Sequence, residues 1–316
     1  MKKTFLIAAI ALCATLWPQI SLAQFVFRIT GNGLKEPSYI IGTVHTLDGA
    51  LLDSIPEYQE AVAQCRQLYT EKDYVDKQRQ VEYNQRAQES LILPDGMTIF
   101  EHLGPEKSEV LTKVFSEKFN TNLRDSVVKP LWNYSPSFYV GFIWITLMTK
   151  SGMIQTGVKT PIDKAIIQQA YDRGWTVGEL DEIGENGTVL PVEMPSLEAM
   201  TDSLMKYLER YDEILENYKK ESESVRKMEE FARSCNFEDF DVFSCEKYQN
   251  VEAFSKAIDI IFTKRNEKWL PKIKQAMQET PTLFDFGAGH LVGDDGVLKM
   301  LRDAGYEVTL LTKKRE

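Results

Sequence analysis

The sequence predicts an α/β fold: a central mixed sheet flanked by helices, with an inserted helical subdomain. Three observations carry that expectation. Short apolar, β-branched runs alternate with longer helix-compatible stretches. The C-terminal end reads strand, helix, strand: Thr282–Phe286, a turn and helix over Gly293–Ala304, then Tyr306–Leu310. Hydrophobic residues make up 43% of the 316, which is ample for a core and too many for a disordered chain. There is no internal repeat of fixed period and no low-complexity segment.

The elements follow in order. Lys2 and Lys3, the apolar run Phe5–Trp17 and the small residues of Ser21-Leu22-Ala23 read as an export leader, residues 1–23, cleaved after Ala23. The run is shorter than the ~20 residues a membrane helix needs. A hairpin is expected next, from Phe25–Ile29 through a Gly31-Asn32-Gly33 turn to Ser38–Val44, with His45 at the strand's end. Pro56 opens a helix to about Cys65, with Ser54 as its expected cap, and Gln67–Thr70 is a short strand delivering Glu71. Residues 76–90 and 105–119 are helix-compatible and Leu93–Gly96 is a turn. Ser135–Met148 is a hydrophobic helix, and the helical insertion covers roughly 76–150. Pro161 starts a helix through Tyr171, and Thr176–Leu180 is a strand. Leu197–Ser234 is a long charged helical stretch, expected to pair antiparallel with Val251–Met277, which Pro271 would kink or divide.

Charge and cysteine usage exclude several classes. The formal net charge is −10, and losing Lys2 and Lys3 with a leader makes it −12. That disfavours nucleic acid and anionic membrane surfaces, which require clustered Lys and Arg. No second segment is long and apolar enough to span a bilayer, Val140–Met148 coming nearest. The mature protein is therefore expected in the periplasm or outside the cell, without a transmembrane anchor. Cys13 leaves with the leader, so three cysteines remain, an odd number for a disulfide scaffold. Cys235 and Cys245 are expected to close a small loop, and Cys65 to be a buried thiol.

Histidine is scarce, with three residues, so placement matters. His45 follows Gly42-Thr43-Val44 and His290 follows Gly287-Ala288-Gly289, so both read Gly-x-x-His at a strand's end. Strand ends in open α/β sheets are where ligands bind. Glu71 ends a third strand, and two imidazoles with one carboxylate make a divalent-metal or general acid/base cluster. Each histidine must be neutral to bind metal, which sets an expected loss of activity as pH falls through ~6.5. His102 has no such setting and reads as a satisfied helical or surface residue.

These residues resemble the TraB/PrgY/GumN family, which includes the Tiki metalloproteases. The resemblance rests on Tyr39–His45 and on Phe286–Gly293 with its continuation Asp295–Leu298 and Ala304–Val308. Glu71, the Arg265-Asn266 pair, Leu93–Gly96, Lys129-Pro130 and Asp163 also match, in order, across nearly all of residues 24–316. One departure is Leu180-Asp181-Glu182, where the family often has Leu-Glu-Thr; Asp181 is left without a role.

The resemblance implies a single Tiki/erythromycin-esterase-like domain. It implies a metal-dependent hydrolase acting on a peptide or protein. His45, Glu71 and His290 would hold a divalent ion of Mn or Co type, with Zn a further candidate. Glu71, Arg265 and Asn266 would serve catalysis. Arg265 is well typed to stabilise an oxyanion, and Asn266 to orient a ligand or cap a helix. Two other classes stay open: non-catalytic capture of a peptide or of haem, and a nucleophilic-residue hydrolase. The sequence contains neither a His-Glu-x-x-His nor a Gly-x-Ser-x-Gly motif.

Overall fold

The computed structural model describes residues 26–43, 45, 47–152, 158–182, 196–232, 262–291 and 293–311. The leader and the Cys235–Cys245 pair lie outside the described residues.

Strands β1 (Val26–Gly31) and β2 (Ser38–Thr43) form the expected hairpin, Val26 opposite Ile41 and Ile29 opposite Ser38. Gly31, Asn32 and Gly33 all take positive φ, which explains the two glycines and the asparagine in this turn. His45 lies two residues beyond β2, in a turn. Helix α1 (Pro56–Gln64) begins with proline, but its cap is Ile55, not Ser54. The Ser54 hydroxyl instead donates to Leu51 O at 2.7 Å and closes a 3₁₀ turn over Gly49–Ser54. Pro56 carries no N–H, so one of the helix's opening donors needs no side-chain acceptor.

Strand β3 (Gln67–Thr70) follows, and after the helical layer come α5 (Ile162–Asp172) and β4 (Thr176–Glu179). The C-terminal unit is α8 (Lys264–Glu279), β5 (Thr282–Gly287), α9 (Val297–Asp303) and β6 (Tyr306–Leu310). The six strands lie in the order β4-β3-β5-β2-β1-β6. β4, β3, β5 and β2 are mutually parallel, while β1 runs antiparallel between β2 and β6, so the sheet is mixed. β2 and β5 are buried along their whole length, as strands covered on both faces must be. The four parallel strands end on one edge. Thr43, Thr70, Glu179 and Gly287 are their last residues, so the segments carrying His45, Glu71, Asp181 and His290 all leave from that edge.

A second core is entirely helical. It draws on α3 (Ile99–Phe119), α4 (Pro136–Lys150), α6 (Leu197–Glu209) and α7 (Tyr211–Ala232), which follow helix α2 (Lys77–Leu91) along the chain. Tyr83 of α2 is buried, and Leu111, Ile143, Leu147 and Leu204 are fully buried where α3, α4 and α6 meet. α3 starts with a capping box from Thr98 and Glu101 and breaks at Gly104, whose φ is +72°; its second part begins at Pro105. His102 is satisfied as expected, its Nε2 2.7 Å from Thr201 Oγ1 on α6.

Two expectations need correction. The described part of Leu197–Ser234 is two helices separated at Arg210. The described part of Val251–Met277 does not serve as its antiparallel partner. Trp269, Ile273, Ala276 and Met277 of α8 are buried in the sheet's core, whereas α6 and α7 pack in the helical core. α8 also continues through Pro271 without dividing. Its apolar stripe at 269, 273, 276 and 277 matches a sheet face, and that burial outweighs the single hydrogen bond proline removes. Among the described residues, no helix is long and apolar enough to cross a membrane.

Ile143 is fully buried on α4. Ile143→Ala is expected to cost about 2–5 kcal/mol through lost burial and an unfilled cavity. Urea unfolding checks this; an unchanged midpoint would show that the helical core does not close around this side chain.

Candidate functional site

Glu71 sits where the parallel strands converge. Its Oε1 accepts a hydrogen bond from Gly287 N at 2.6 Å, and its Oε2 accepts one from Arg265 Nη2. His45 Nε2 and His290 Nε2 lie 3.8 and 4.0 Å from the same Oε1. The three expected metal-site residues are thus gathered around one carboxylate. Neighbouring strands explain this: β5 lies between β3 and β2, so the ends delivering Glu71, His290 and His45 are adjacent.

The two Gly-x-x-His motifs need each other's glycine. A Cβ on Gly42 would overlap Leu291 Cδ1 and stand 3.3 Å from Ala288 Cα. A Cβ on Gly287 would stand 3.1 Å from His45 Nε2 and 3.3 Å from Glu71 Oε1. Each glycine therefore makes room for the other motif or its ligand cluster.

The hydrogen bonds assign the protons. A guanidinium only donates, so His290 Nε2 accepts from Arg265 Nη1 at 3.1 Å. His290 Nδ1 then carries the proton and donates to Asn266 Oδ1 at 2.6 Å. Asn266 fits this role because its Nδ2 donates to His290 O and Asp295 O, at 3.2 and 2.8 Å. His45 Nδ1 is 3.0 Å from Asp163 Oδ2, so it too carries a proton toward an oxygen acceptor. Both rings therefore hold Nδ1 in an outer hydrogen bond and turn Nε2 toward Glu71.

Their electrostatics differ. The negative charge of Asp163 raises the His45 pKa to about 10; burial opposes this, and Glu71 and Asp285 add to it. His290 is held well below the ordinary range by burial first, then by the positive charge of Arg265. Trp269 and Phe262 pack on its ring at centroid distances of 4.2 and 4.9 Å. The shared value near ~6.5 expected from the sequence is therefore replaced by two values on opposite sides of it. Burial pushes the Glu71 carboxyl up, but Arg265, His290, His45 and the Gly287 N–H together hold it well below the usual carboxylate range.

Arg265 reaches across to the strand ends. It is buried, and Asp181 grips it through Nε at 3.1 Å and Nη2 at 2.6 Å. Trp269 Nε1 donates to Asp181 Oδ1 at 2.8 Å, and the guanidinium carbon lies 4.7 Å from the Trp269 ring centre. Burial raises the Asp181 pKa against the pull of Arg265. Asp181, left aside in the sequence because it is one methylene shorter than the family's glutamate, is the anchor of Arg265.

Asp163 and Asp285 are further acids here that the sequence did not place in the site. Asp285 is fully buried at mid-strand; Thr70 Oγ1 donates to its Oδ2 at 3.3 Å, and Oδ1 has no hydrogen-bond partner. Burial and the charges of Asp163 and Glu71 push its carboxyl well above the ordinary range. The available signal was an acid inside the otherwise apolar run Thr282–Phe286. Cys65 is a buried free thiol whose pKa burial pushes up, unsuited to nucleophilic work.

Two nitrogens or oxygens bound to one ion at ~2.1 Å stand no more than ~4.2 Å apart. Both Glu71–histidine separations satisfy that limit. Among the described residues, however, no three His, Cys, Asp or Glu side chains are already gathered closely enough to enclose an ion. Arg265 stands against both Glu71 and His290. The donors fit a divalent ion in kind, and Glu71 lies within ligand reach of each histidine taken singly, with Arg265 as the neighbour sharing them.

The sheet, with histidines and carboxylates gathered where its parallel strands end, defines an α/β protein with a candidate site at that edge. The chain belongs to the TraB/PrgY/gumN family, whose model matches residues 25–310. It is similar to Metalloprotease TIKI1 of Danio rerio, 22% identical over 94% of this chain and 65% of that protein. It is also similar to Metalloprotease TIKI1 of Homo sapiens, 23% identical over 92% of this chain and 62% of that one. The chain thus spans slightly less than two thirds of the length of these relatives. No solved structure matches it significantly.

Two predictions follow from the geometry. Gly42→Ala should cost about 1–3 kcal/mol, because the added methyl meets Leu291 and the Ala288 backbone. A denaturation midpoint equal to wild type would refute that packing. The second concerns pH in the metal-free protein. Glu71 has a depressed folded pKa, so its stabilisation is present above ~4.3 and is lost as pH falls below that value. His45 has a raised folded pKa, so its stabilisation is present below ~6.5 and is lost as pH rises toward about 10. Urea midpoints followed from about pH 2 to pH 10 should decline at both ends. His45→Gln should flatten the alkaline limb and Glu71→Gln the acid limb; variant curves parallel to wild type would sink this assignment.

Proposed function

We propose that this chain is an exported metal-dependent hydrolase that cleaves a peptide or protein. The carrying observation is that two imidazoles, each with Nδ1 tied to an oxygen, turn Nε2 toward one oxygen of Glu71. Family membership and the similarity to two proteins named as metalloproteases support the same reading. The leader-like first 23 residues support export to the periplasm or beyond, and the acidic balance supports a partner other than nucleic acid.

His45, Glu71 and His290 are the residues that would hold a divalent ion of Mn or Co type, or Zn. Such an ion supplies Lewis-acid polarisation of a carbonyl and lowers the pKa of water. Glu71, held ionised, is a better ligand than proton shuttle. His290 is already neutral and presents its lone pair inward. His45 is half-exposed, with 46% of its side chain accessible against 3% for His290, so it is the histidine that incoming substrate can approach. Because a proton holds His45 strongly, metal must compete with it, and affinity should rise with pH. Arg265 supplies a permanent positive charge beside Glu71 and His290, where negative charge develops on a carbonyl oxygen during attack. Asn266 orients His290 and leaves its Nε2 pointing into the site.

Elemental analysis of purified protein, with peptide turnover measured with and without added Mn, tests the reading. His45→Ala and His290→Ala should lose bound metal and turnover together. Arg265→Lys keeps the charge but not the paired geometry, and turnover should fall by ~100-fold or more. Wild-type turnover in a histidine variant would place hydrolysis outside this cluster; peptide retained uncleaved whatever the metal would replace hydrolysis with capture. A new absorbance band on adding haem would identify the haem form of that capture.

A further inference from the structure

We propose that Asp163, anchored by Thr43, is a positioning residue that fixes the His45 ring with its Nε2 facing Glu71. The claim about ring orientation stands by itself; only its use for ligating metal rests on the proposed function.

Asp163 lies in the first turn of α5, 5% exposed. An acid in a helix's first turn usually serves the helix by accepting from its free N–H groups. Here the cap is Pro161 and no side chain caps the helix. The two oxygens of Asp163 go elsewhere: Oδ1 accepts from Thr43 Oγ1 at 2.6 Å, and Oδ2 stands 3.0 Å from His45 Nδ1. Thr43 is the last residue of β2 and almost fully buried. The carboxylate is therefore held at one oxygen by the strand that delivers His45, and it presents the other oxygen to the ring.

The backbone around the ring is clamped to the same helix. Ile162 N donates to Leu47 O at 2.9 Å, Gly49 N to Thr160 O at 2.8 Å, and Lys159 N to Asp48 Oδ2 at 3.0 Å. A Cβ on Gly49 would overlap Ala165 Cβ, so glycine permits the close approach of this loop to α5. A half-exposed imidazole without a fixed partner can turn about its terminal torsion, which is broad. With Nδ1 bound to Asp163, Nε2 is the ring nitrogen left to face Glu71 Oε1 at 3.8 Å. The arrangement on His290 is equivalent in form, with Asn266 in place of the acid. Outer acceptors of this kind fix the tautomer and orientation of ligating histidines, and their loss typically lowers metal affinity 10–100-fold.

The test reads the hydrogen bond first. Proton NMR of the metal-free full chain should show a slowly exchanging, downfield Nδ1–H signal, assigned to His45 by its loss in His45→Gln. Asp163→Ala should abolish the signal, and Asp163→Asn should retain it in weakened form, because an amide oxygen still accepts. Titration with Mn alone then reads the consequence. Affinity should fall roughly 10–100-fold in Asp163→Ala, less in Asp163→Asn, and by a smaller factor in Thr43→Val. A persistent downfield signal in Asp163→Ala, or Mn affinity in that variant equal to a wild type that binds Mn, overturns the proposal. If Asp163→Ala does not fold, the graded signals and affinities of Asp163→Asn and Thr43→Val decide in its place. If wild type binds no Mn, the proposed function fails, and the NMR comparison alone decides whether Asp163 orients the ring.

Discussion

The edge of the sheet is organised by one requirement: a buried carboxylate, Glu71, has to stay ionised. An isolated buried charge is too costly to keep. The Gly287 N–H, the Arg265 guanidinium and the protonated His45 ring surround it and offset that cost. Arg265 is itself a buried charge and needs a second anion, which Asp181 provides, and Asp181 takes a further hydrogen bond from Trp269. The ends of four strands and helix α8 are thereby joined by one charge network.

The same requirement accounts for the small residues. Room for two imidazoles beside a carboxylate exists because Gly287 has no Cβ, and the strand carrying the first histidine reaches the second motif because Gly42 has none. A Gly-x-x-His motif is thus half of a packing arrangement. Its glycine serves the partner motif as much as its own histidine.

The two histidines are alike in proton placement and unlike in charge. An anionic acceptor makes His45 a strong base, while an aromatic, amide-lined pocket beside Arg265 keeps His290 neutral. A pair split in this way offers one lone pair free of a proton but shared with Arg265, and one that opens only when a proton leaves. That asymmetry comes from Asp163 beside one ring and from burial next to Arg265 around the other, since the two residues share motif and strand-end placement.

Local pattern made the elements legible. The hairpin over Gly31–Gly33, the strand before Glu71 and the final strand–helix–strand unit all appear where alternation and turn residues put them. His45, Glu71 and His290 were recognisable because a strand's end can be read from its own sequence. Helix partners were less legible: α8 turned to the sheet, because an apolar stripe shows that a face is buried but not against what. The roles of Asp163, Asp181 and Asp285 were not legible. Asp163 and Asp181 stood out only as positions of a family pattern and Asp285 as an acid in an apolar run, and the meaning of each depends on which strands lie side by side. The order β4-β3-β5-β2 brings residues more than a hundred positions apart into hydrogen-bonding distance, and no local periodicity encodes that order. The sequence by itself determined which residues end the strands; the tertiary structure decided which acids stand behind them, because a buried charge is defined by its partners in space.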